Sequence, residues 1–253
     1  MHRFYLPRDQ CGDKSMLLDG REAHHALHVL RLKRGDPVTI LDGVGSVYSC
    51  RIASTAKSEL QLEVLERQTT APKPWRITLF QAIPKAKLFE NIVEKATELS
   101  TYRIVPILSQ RVVSTPENPQ RKLERWKLTA IEAIKQCGSP WLPKIEAPVK
   151  LQDALKIGDP FDLALVASLQ PGAKHPRHWL ETLKTTSAKP THISIWIGPE
   201  GDFTPEEVAL LQRAGARPIT LGDLVLRVET AAIYSLSLLN YELQWLSQTD
   251  TES

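Results

Sequence analysis

At 253 residues, with 42% hydrophobic and 24% charged positions, the chain has ordinary globular proportions and the length to bury two modest cores. A formal net charge of +3 permits an anionic partner without requiring one. Cys11, Cys50 and Cys137 are odd in number and lack Cys-x-x-Cys spacing, which argues against a disulfide framework or a zinc site. No run approaches the ~18 uninterrupted apolar residues of a membrane span and the first residues hold no apolar signal core, so a soluble cytoplasmic protein with no membrane partner is expected.

In chain order, strand-like runs at Pro37–Leu41, Val47–Ile52 and Leu60–Leu65 are separated by turns such as Asp42-Gly43-Val44-Gly45, which predicts a small β-rich module. Glu22–Leu32 reads as a helix within it and sets His24 and His28 one turn apart. An i,i+4 histidine pair can ligate a metal, but no third ligand stands at suitable spacing and no metal site is assigned. Arg31, Lys33 and Arg34 cluster at the end of this helix, and Arg121, Lys122, Arg125 and Lys127 on a later one. Each cluster is either an anion-facing surface or a solvated face balanced by nearby acids. Thr69–Pro74, polar with two prolines, reads as a linker.

Beyond the linker, Arg76–Ile83 reads as a strand, Lys87–Ser100 as a helix with Leu88, Ile92, Ala96 and Leu99 on one stripe, and Ile104–Leu108 as a second strand. That order implies a parallel pair joined by a crossover. A helix over 118–137, with Leu123, Ala130, Ile134 and Cys137 near one face, and a strand over 161–167 follow.

The carboxyl-terminal part carries the strongest signals. His192–Ile197 alternates β-branched, polar and aromatic residues and stops at Gly198-Pro199, a buried strand ending in a turn. Thr204-Pro205-Glu206-Glu207 has the form of a capping box, with threonine at the N-cap, proline at N1 and glutamate at N3, and its helix ends at Gly215. Arg217–Leu221 is a further strand that opens into Gly222-Asp223, followed by Leu224–Ala232 and a long apolar helix to about Trp245. Two loops from neighbouring strands would then face one cavity at the carboxyl edge of a sheet, where ligands bind in open α/β folds, and Gly201 has no Cβ to hold a ligand off the main chain. The chain contains neither GxxxxGK[ST] nor GxGxxG, and no Ser/His/Asp or Cys/His set at recognisable spacing, so cofactor chemistry is the preferred reading.

Taken in order, seven segments resemble one family. They are His2-Arg3-Phe4-Tyr5; His24-His25 with Val29-Leu30-Arg31 and Gly35-Asp36; Gln81-Ala82-Ile83-Pro84-Lys85; Ser109–Val113; Glu132–Gly138; Ile197–Phe203; and Leu221–Ala232. The family is the bacterial 16S rRNA (uracil-N3)-methyltransferases, within the knotted SPOUT class of S-adenosylmethionine enzymes. Three positions depart from its pattern: Asp202 replaces the second glycine of Gly-Pro-Glu-Gly-Gly, Leu224 an arginine, and Ala86 the glycine of a Pro-Lys-Gly turn.

The resemblance implies an α/β fold: a PUA-like β-barrel over residues 1–71 that recognises RNA, and a SPOUT-type domain over 75–247 with a deep trefoil knot around a parallel sheet. It implies S-adenosyl-L-methionine as cofactor, 16S rRNA of the small ribosomal subunit as partner, and a homodimer. The terminal helix, with Ile233, Leu236, Leu239, Leu243 and Trp245, is either the dimer face or a monomer's core helix. The cofactor would be held by Leu165 and the segment to Ser168, by Ile197, Gly198, Pro199, Glu200 and Gly201, and by Leu221, Gly222, Leu226, Val228, Thr230 and Ala231. Arg3, His25, Arg31, Lys85 and Arg111 would meet RNA; Lys85 and Lys87 otherwise belong to a solvated turn. Uracil N3 must lose a proton while charge spreads to the flanking oxygens, and Arg227, which cannot act as a base, is the catalytic candidate. Its alternative is an ion pair with Glu229 or with a neighbouring chain. Glu200 and Glu229 are either bases or complements to a helix's positive end. Methylation of another RNA such as tRNA, and catalytically idle RNA binding, are the competing functions.

Overall fold

The computed structural model describes residues 2–85, 88–112, 118–157, 160–185 and 192–248, so the sequence features at Ala86, Lys87 and Val113 lie outside the described residues. The chain divides into two compact units, one of Met1–Pro72 with Ile131–Leu142, the other of Lys73–Ala130 with Pro143–Ser253.

The first unit is a five-stranded sheet. It contains β1 (His2–Tyr5), β2 (Ser15–Leu18), α1 (Gly20–His24), β3 (Pro37–Leu41), β4 (Ser46–Thr55) and β5 (Leu60–Thr69), with strand order β1-β3-β4-β5-β2. Only β1 and β3 run parallel; the other pairs are antiparallel. Alternation along β4 turns Tyr48, Cys50 and Ile52 inward, where they meet Phe4, Met16, Leu18, Val38, Ile40, Leu60 and Leu62 in one apolar core to which every strand contributes. The helix predicted over Glu22–Leu32 begins at Gly20 and passes at His25 into a π-helical turn that ends at Val29. The chain then reverses through Arg31, whose φ of 56° is left-handed. His24 and His28 face each other with ring centroids 4.8 Å apart, and no group of three metal-ligating side chains occurs among the described residues.

Lys135 is a buried charge of this unit. Its side chain is 8% exposed and its Nζ donates to Glu22 Oε1 at 2.7 Å and to Glu132 Oε1 at 3.0 Å. Removing one member of such a group strands the other in a low dielectric. Lys135→Ala is therefore expected to destabilise the fold by about 3 kcal/mol, whereas Lys135→Ala with Glu22→Leu recovers much of that loss. Denaturant midpoints of the two variants measure both effects.

The second unit is built on an all-parallel sheet of seven strands. Its elements are β6 (Arg76–Ala82), α2 (Leu88–Glu98), β7 (Arg103–Leu108), α3 (Pro119–Cys137, whose residues from Ile131 on belong to the first unit), β8 (Lys144–Ile145), β9 (Val149–Lys150), α4 (Leu151–Ala154), β10 (Leu163–Ala167), α5 (Pro176–Thr185), β11 (His192–Ile197), α6 (Pro205–Arg213), β12 (Arg217–Ile219) and α7 (Val228–Gln248). The strand order is β12-β10-β11-β6-β7-β8, with β9 also pairing β7. Both faces of a parallel sheet are covered, and β11 is accordingly buried along its whole length. Phe80 and Trp196, side by side on β6 and β11, stack at 3.8 Å. The predicted parallel pair with a crossover is β6–α2–β7. On α3, Leu123, Ala130 and Ile134 are buried as the stripe predicts, Cys137 is exposed, and Arg125 is balanced by Glu90 at 3.0 Å. No described helix is long and apolar enough to cross a membrane.

One expectation is corrected. The loops after His192–Ile197 and Arg217–Ile219 do not come from adjacent strands, because β10 pairs with both and lies between them. A third loop, from β10, is therefore part of whatever the other two enclose.

Candidate active site

A cleft opens at the carboxyl ends of β10, β11 and β12, with about 540 Å³ of space when the open solvent at its mouth is counted. Ala167, Ser168 and Leu169 come from the first loop, and Ile197, Gly198, Pro199, Glu200 and Asp202 from the second. The third contributes Leu221, Gly222, Leu224, Val225 and Leu226 and runs into Val228 and Ala231 at the start of α7. Of the residues expected to hold a cofactor, Ile197, Gly198, Pro199, Glu200, Leu221, Gly222, Leu226, Val228 and Ala231 meet in this wall. Leu165, Gly201, Thr230 and Arg227 are not among the described wall residues; Leu165 is fully buried inside β10.

The three loops are tied to one another by main-chain and carboxylate bonds. Ser168 N donates to Ile219 O at 3.0 Å, joining the first loop to the third strand. Asp202 joins it to the second: Oδ2 accepts from Leu169 N at 3.0 Å while Oδ1 accepts from Phe203 N at 2.7 Å. Asp202 has a left-handed φ of 60°, a conformation that glycine adopts without steric strain and an aspartate does not. Its side chain thus offsets a backbone penalty with two hydrogen bonds, and it was legible in the sequence only as a departure from pattern.

Glutamates fasten the second loop to the rest of the unit. Glu207 completes the predicted capping box, its Oε2 accepting from Thr204 N at 3.0 Å and Thr204 Oγ1 accepting from Glu207 N at 3.3 Å. Its other oxygen accepts from Gln110 N at 2.8 Å, in the loop after β7. Glu200 Oε1 accepts from Lys85 N at 2.8 Å, and the Arg111 guanidinium donates to Gly201 O. Glu200 is therefore already engaged as an acceptor, which favours anchoring over proton transfer.

Close approach of main chain falls at Gly198 rather than Gly201. A Cβ at Gly198 would lie 2.9 Å from Phe203 N and 3.0 Å from Asp202 Oδ1, whereas at Gly201 it would meet Arg111 Cδ at an ordinary 3.4 Å. Gly222 adopts φ +116°, open to glycine alone among common residues. These two glycines shape a wall of main chain and small apolar groups, suited to a flat heteroaromatic ligand with polar edges.

Arg227 immediately precedes α7; its carbonyl accepts the Ala231 N–H at 2.8 Å and its side chain is exposed. The Glu229 ion pair does not form: among the described residues no carboxylate oxygen lies within 4.0 Å of the guanidinium. The charge is available to a partner. The remaining basic candidates divide. His25 packs edge-on to Phe4 at 6.1 Å and is half-buried, Arg31 is exposed, and Arg3 closes the end of α3 by donating to Lys135 O at 3.3 Å and Gln136 O at 3.1 Å. No cysteine provides a ready thiolate in the first unit's core: burial pushes the Cys50 thiol up to about 12, and burial with the Asp42 charge pushes Cys11 up to about 11.

Comparison with known proteins agrees with this architecture. Residues 71–240 match the family model of an RNA methyltransferase domain, and residues 18–65 that of an RNA methyltransferase PUA domain. The ribosomal RNA small subunit methyltransferase E of Synechocystis sp. is 32% identical over 245 residues, covering 96% of this chain and 78% of that protein. Its counterpart in Aquifex aeolicus is 30% identical over 240 residues, covering 94% and 99%. A methyltransferase from Legionella pneumophila, solved with the bound cofactor SAM, is similar with a TM-score of 0.84 at 28% identity over 94% of this chain and 96% of that one. A ribosomal RNA small subunit methyltransferase E from Neisseria gonorrhoeae, bound to S-adenosyl methionine, gives 0.83 at 27% identity over 95% and 97%. With a PUA-type first unit, a parallel sheet and a three-loop cleft at its carboxyl edge, the chain belongs to the RNA methyltransferase family that includes the small-subunit rRNA methyltransferases E.

Proposed function

We propose that this protein methylates N3 of a uridine in 16S rRNA, using S-adenosylmethionine held in the three-loop cleft, in the cytoplasm and as a homodimer of knotted methyltransferase domains. The observation that carries the reading is the cleft itself, main chain and apolar side chains from three adjoining strand ends, in a family with members solved bound to that cofactor. Its glycine-shaped wall suits an adenosyl group: Leu221 and Leu226 offer apolar contact for the faces of an adenine, and the loop main chain offers donors and acceptors for its edge. When bound, the cofactor supplies a methyl group on a sulfonium centre. The chain's own task is then alignment, exclusion of water and charge stabilisation.

Arg227 performs the last of these. As N3 of the uracil loses its proton, negative charge grows on the two flanking carbonyl oxygens, and a fixed guanidinium beside them lowers that barrier. The PUA-like unit, residues 1–71, and the exposed Arg31, Lys85 and Arg111 supply RNA contacts; His25 and Arg3 add to them only if freed from their packing and helix-end roles. For the dimer, α7 buries Leu236, Leu239 and Leu243 within its own unit yet leaves Tyr241 and Trp245 exposed, an apolar face for a second copy.

Incubating the protein with labelled cofactor and small-subunit particles lacking the modification, then mapping the product by mass spectrometry, tests the proposal. One 3-methyluridine in 16S rRNA is the expected outcome. Label in tRNA, or at another ring atom, would redirect the substrate, and no label would favour idle RNA binding.

A further inference from the structure

Next to the cleft, Lys174 Nζ and Arg217 Cζ each lie 5.2 Å from the centroid of the Trp179 ring. Lys174 Nζ also donates to His178 Nε2 at 3.0 Å. The indole is fixed to the edge strand, its Nε1 donating to Pro218 O at 3.3 Å. The main chain of Lys174 is fixed as well: it bridges Ile219, its N donates to Pro218 O at 3.1 Å, and its O accepts from Thr220 N at 3.0 Å. Two exposed cations are thereby restrained on one aromatic face-former before any partner arrives.

Neither cation has a counter-charge among the described residues. Arg177 close by is matched by Glu181 at 3.6 Å, but no carboxylate oxygen of the described residues lies within 4.0 Å of Lys174 or Arg217. Long cationic side chains held still without an acid lose less entropy on meeting a polyanion than free ones do. Their position selects the polyanion. Thr220, bonded to Lys174, precedes the wall residue Leu221, and Arg217 lies four residues before Leu221, about 13 Å at the rise of ~3.3 Å per strand residue. A nucleic-acid strand whose base enters the cleft must carry its next phosphates past this edge.

We infer that Lys174, Arg217 and Trp179 form a docking site for the phosphate backbone of the RNA strand flanking the target nucleotide. This rests on RNA being the substrate. Binding does not require the methyl donor, so the site is tested without it, by anisotropy of a labelled 16S rRNA fragment titrated with protein across a salt series. The double variant Lys174→Ala/Arg217→Ala is expected to bind roughly 10- to 30-fold more weakly at 0.1 M salt, with the slope of log affinity on log salt reduced by about 1.4, two single-strand contacts. Lys156→Ala, which removes an exposed lysine paired with Asp153, leaves the slope unchanged. Calorimetric binding of S-adenosylmethionine by the double variant reports that its fold is intact; if it is not, the single variants Lys174→Gln and Arg217→Gln carry the test, each lowering the slope by about 0.7. Wild-type affinity and slope in the variants would overturn the docking site while leaving RNA as substrate. A wild-type protein that binds cofactor but no RNA would overturn both, and binding of an acidic peptide in preference to RNA would reassign the surface.

Discussion

Arg227→Ala is expected to lower the single-turnover rate of methylation by about 10²- to 10³-fold, the ~2.7–4 kcal/mol typical of removing one donor from a developing oxyanion. Cofactor affinity should change little, because Arg227 is not among the described residues of the cleft wall. Arg227→Lys should recover only part of the rate, since an ammonium restores the charge but not the planar fork that can address two acceptors. The side chain is exposed and no described carboxylate holds it, so the substitution removes no structural ion pair and the fold should be unaffected. Rapid-quench measurement at saturating cofactor separates these effects. An alanine variant that turns over at the wild-type rate would remove Arg227 from the mechanism.

Gly198→Ala is expected to weaken cofactor binding by two orders of magnitude or more and to destabilise the second unit by about 1–3 kcal/mol, the usual range for forced overpacking. The added methyl collides at 2.9 Å with a main-chain nitrogen, that of Phe203, which cannot retreat: its N–H is held by Asp202 at 2.7 Å and its ring is buried in the core. The same methyl meets Asp202 Oδ1 at 3.0 Å, and pushing that carboxylate aside strains its bond to Leu169 N, which loosens two of the three walls together. Gly201→Ala gives the contrast. Its methyl meets the flexible Arg111 side chain at 3.4 Å, and a small effect is expected although the two glycines stand in the same Gly-Pro-Glu-Gly turn. Titration calorimetry of both variants, with thermal melts, decides the matter; equal losses would show that the turn tolerates no side chain anywhere.

What was legible in the sequence followed from local rules. Pro37–Leu41 and His192–Ile197 appear with the predicted bounds because alternation and flanking turn residues define them. The capping box at Thr204 is a four-residue arrangement whose two hydrogen bonds are written in residue types. Strands of two to four residues, such as β1, β2, β8 and β9, are too short to show a period. The insertion of β10 between β11 and β12 is a consequence of crossovers and leaves no local trace. The π-helical turn at His25–Val29 continues an ordinary helical pattern, and nothing in its residue types sets it apart.

The cleft divided in the same way. Its glycine-bearing loops could be read from Gly198 and Gly222, whereas the latch made by Asp202 depends on a left-handed backbone that only coordinates disclose. Arg3 looked like a free basic residue because its partners, the carbonyls of Lys135 and Gln136, lie at the far side of the sequence. Periodicity cannot anticipate such a pairing.

The central position of β6 bears on how the protein is made. One of its neighbours, β7, arrives after a single helix, but the other is β11, with Arg76 opposite His192. During synthesis the nascent chain therefore displays an unpaired apolar strand border until residues of the last quarter emerge, a hazard for self-association that chaperones or slow elongation would have to cover. Catalytic competence waits on β11 and the loops that follow it, and a product truncated before β11 would lack not just a cleft but a foldable sheet.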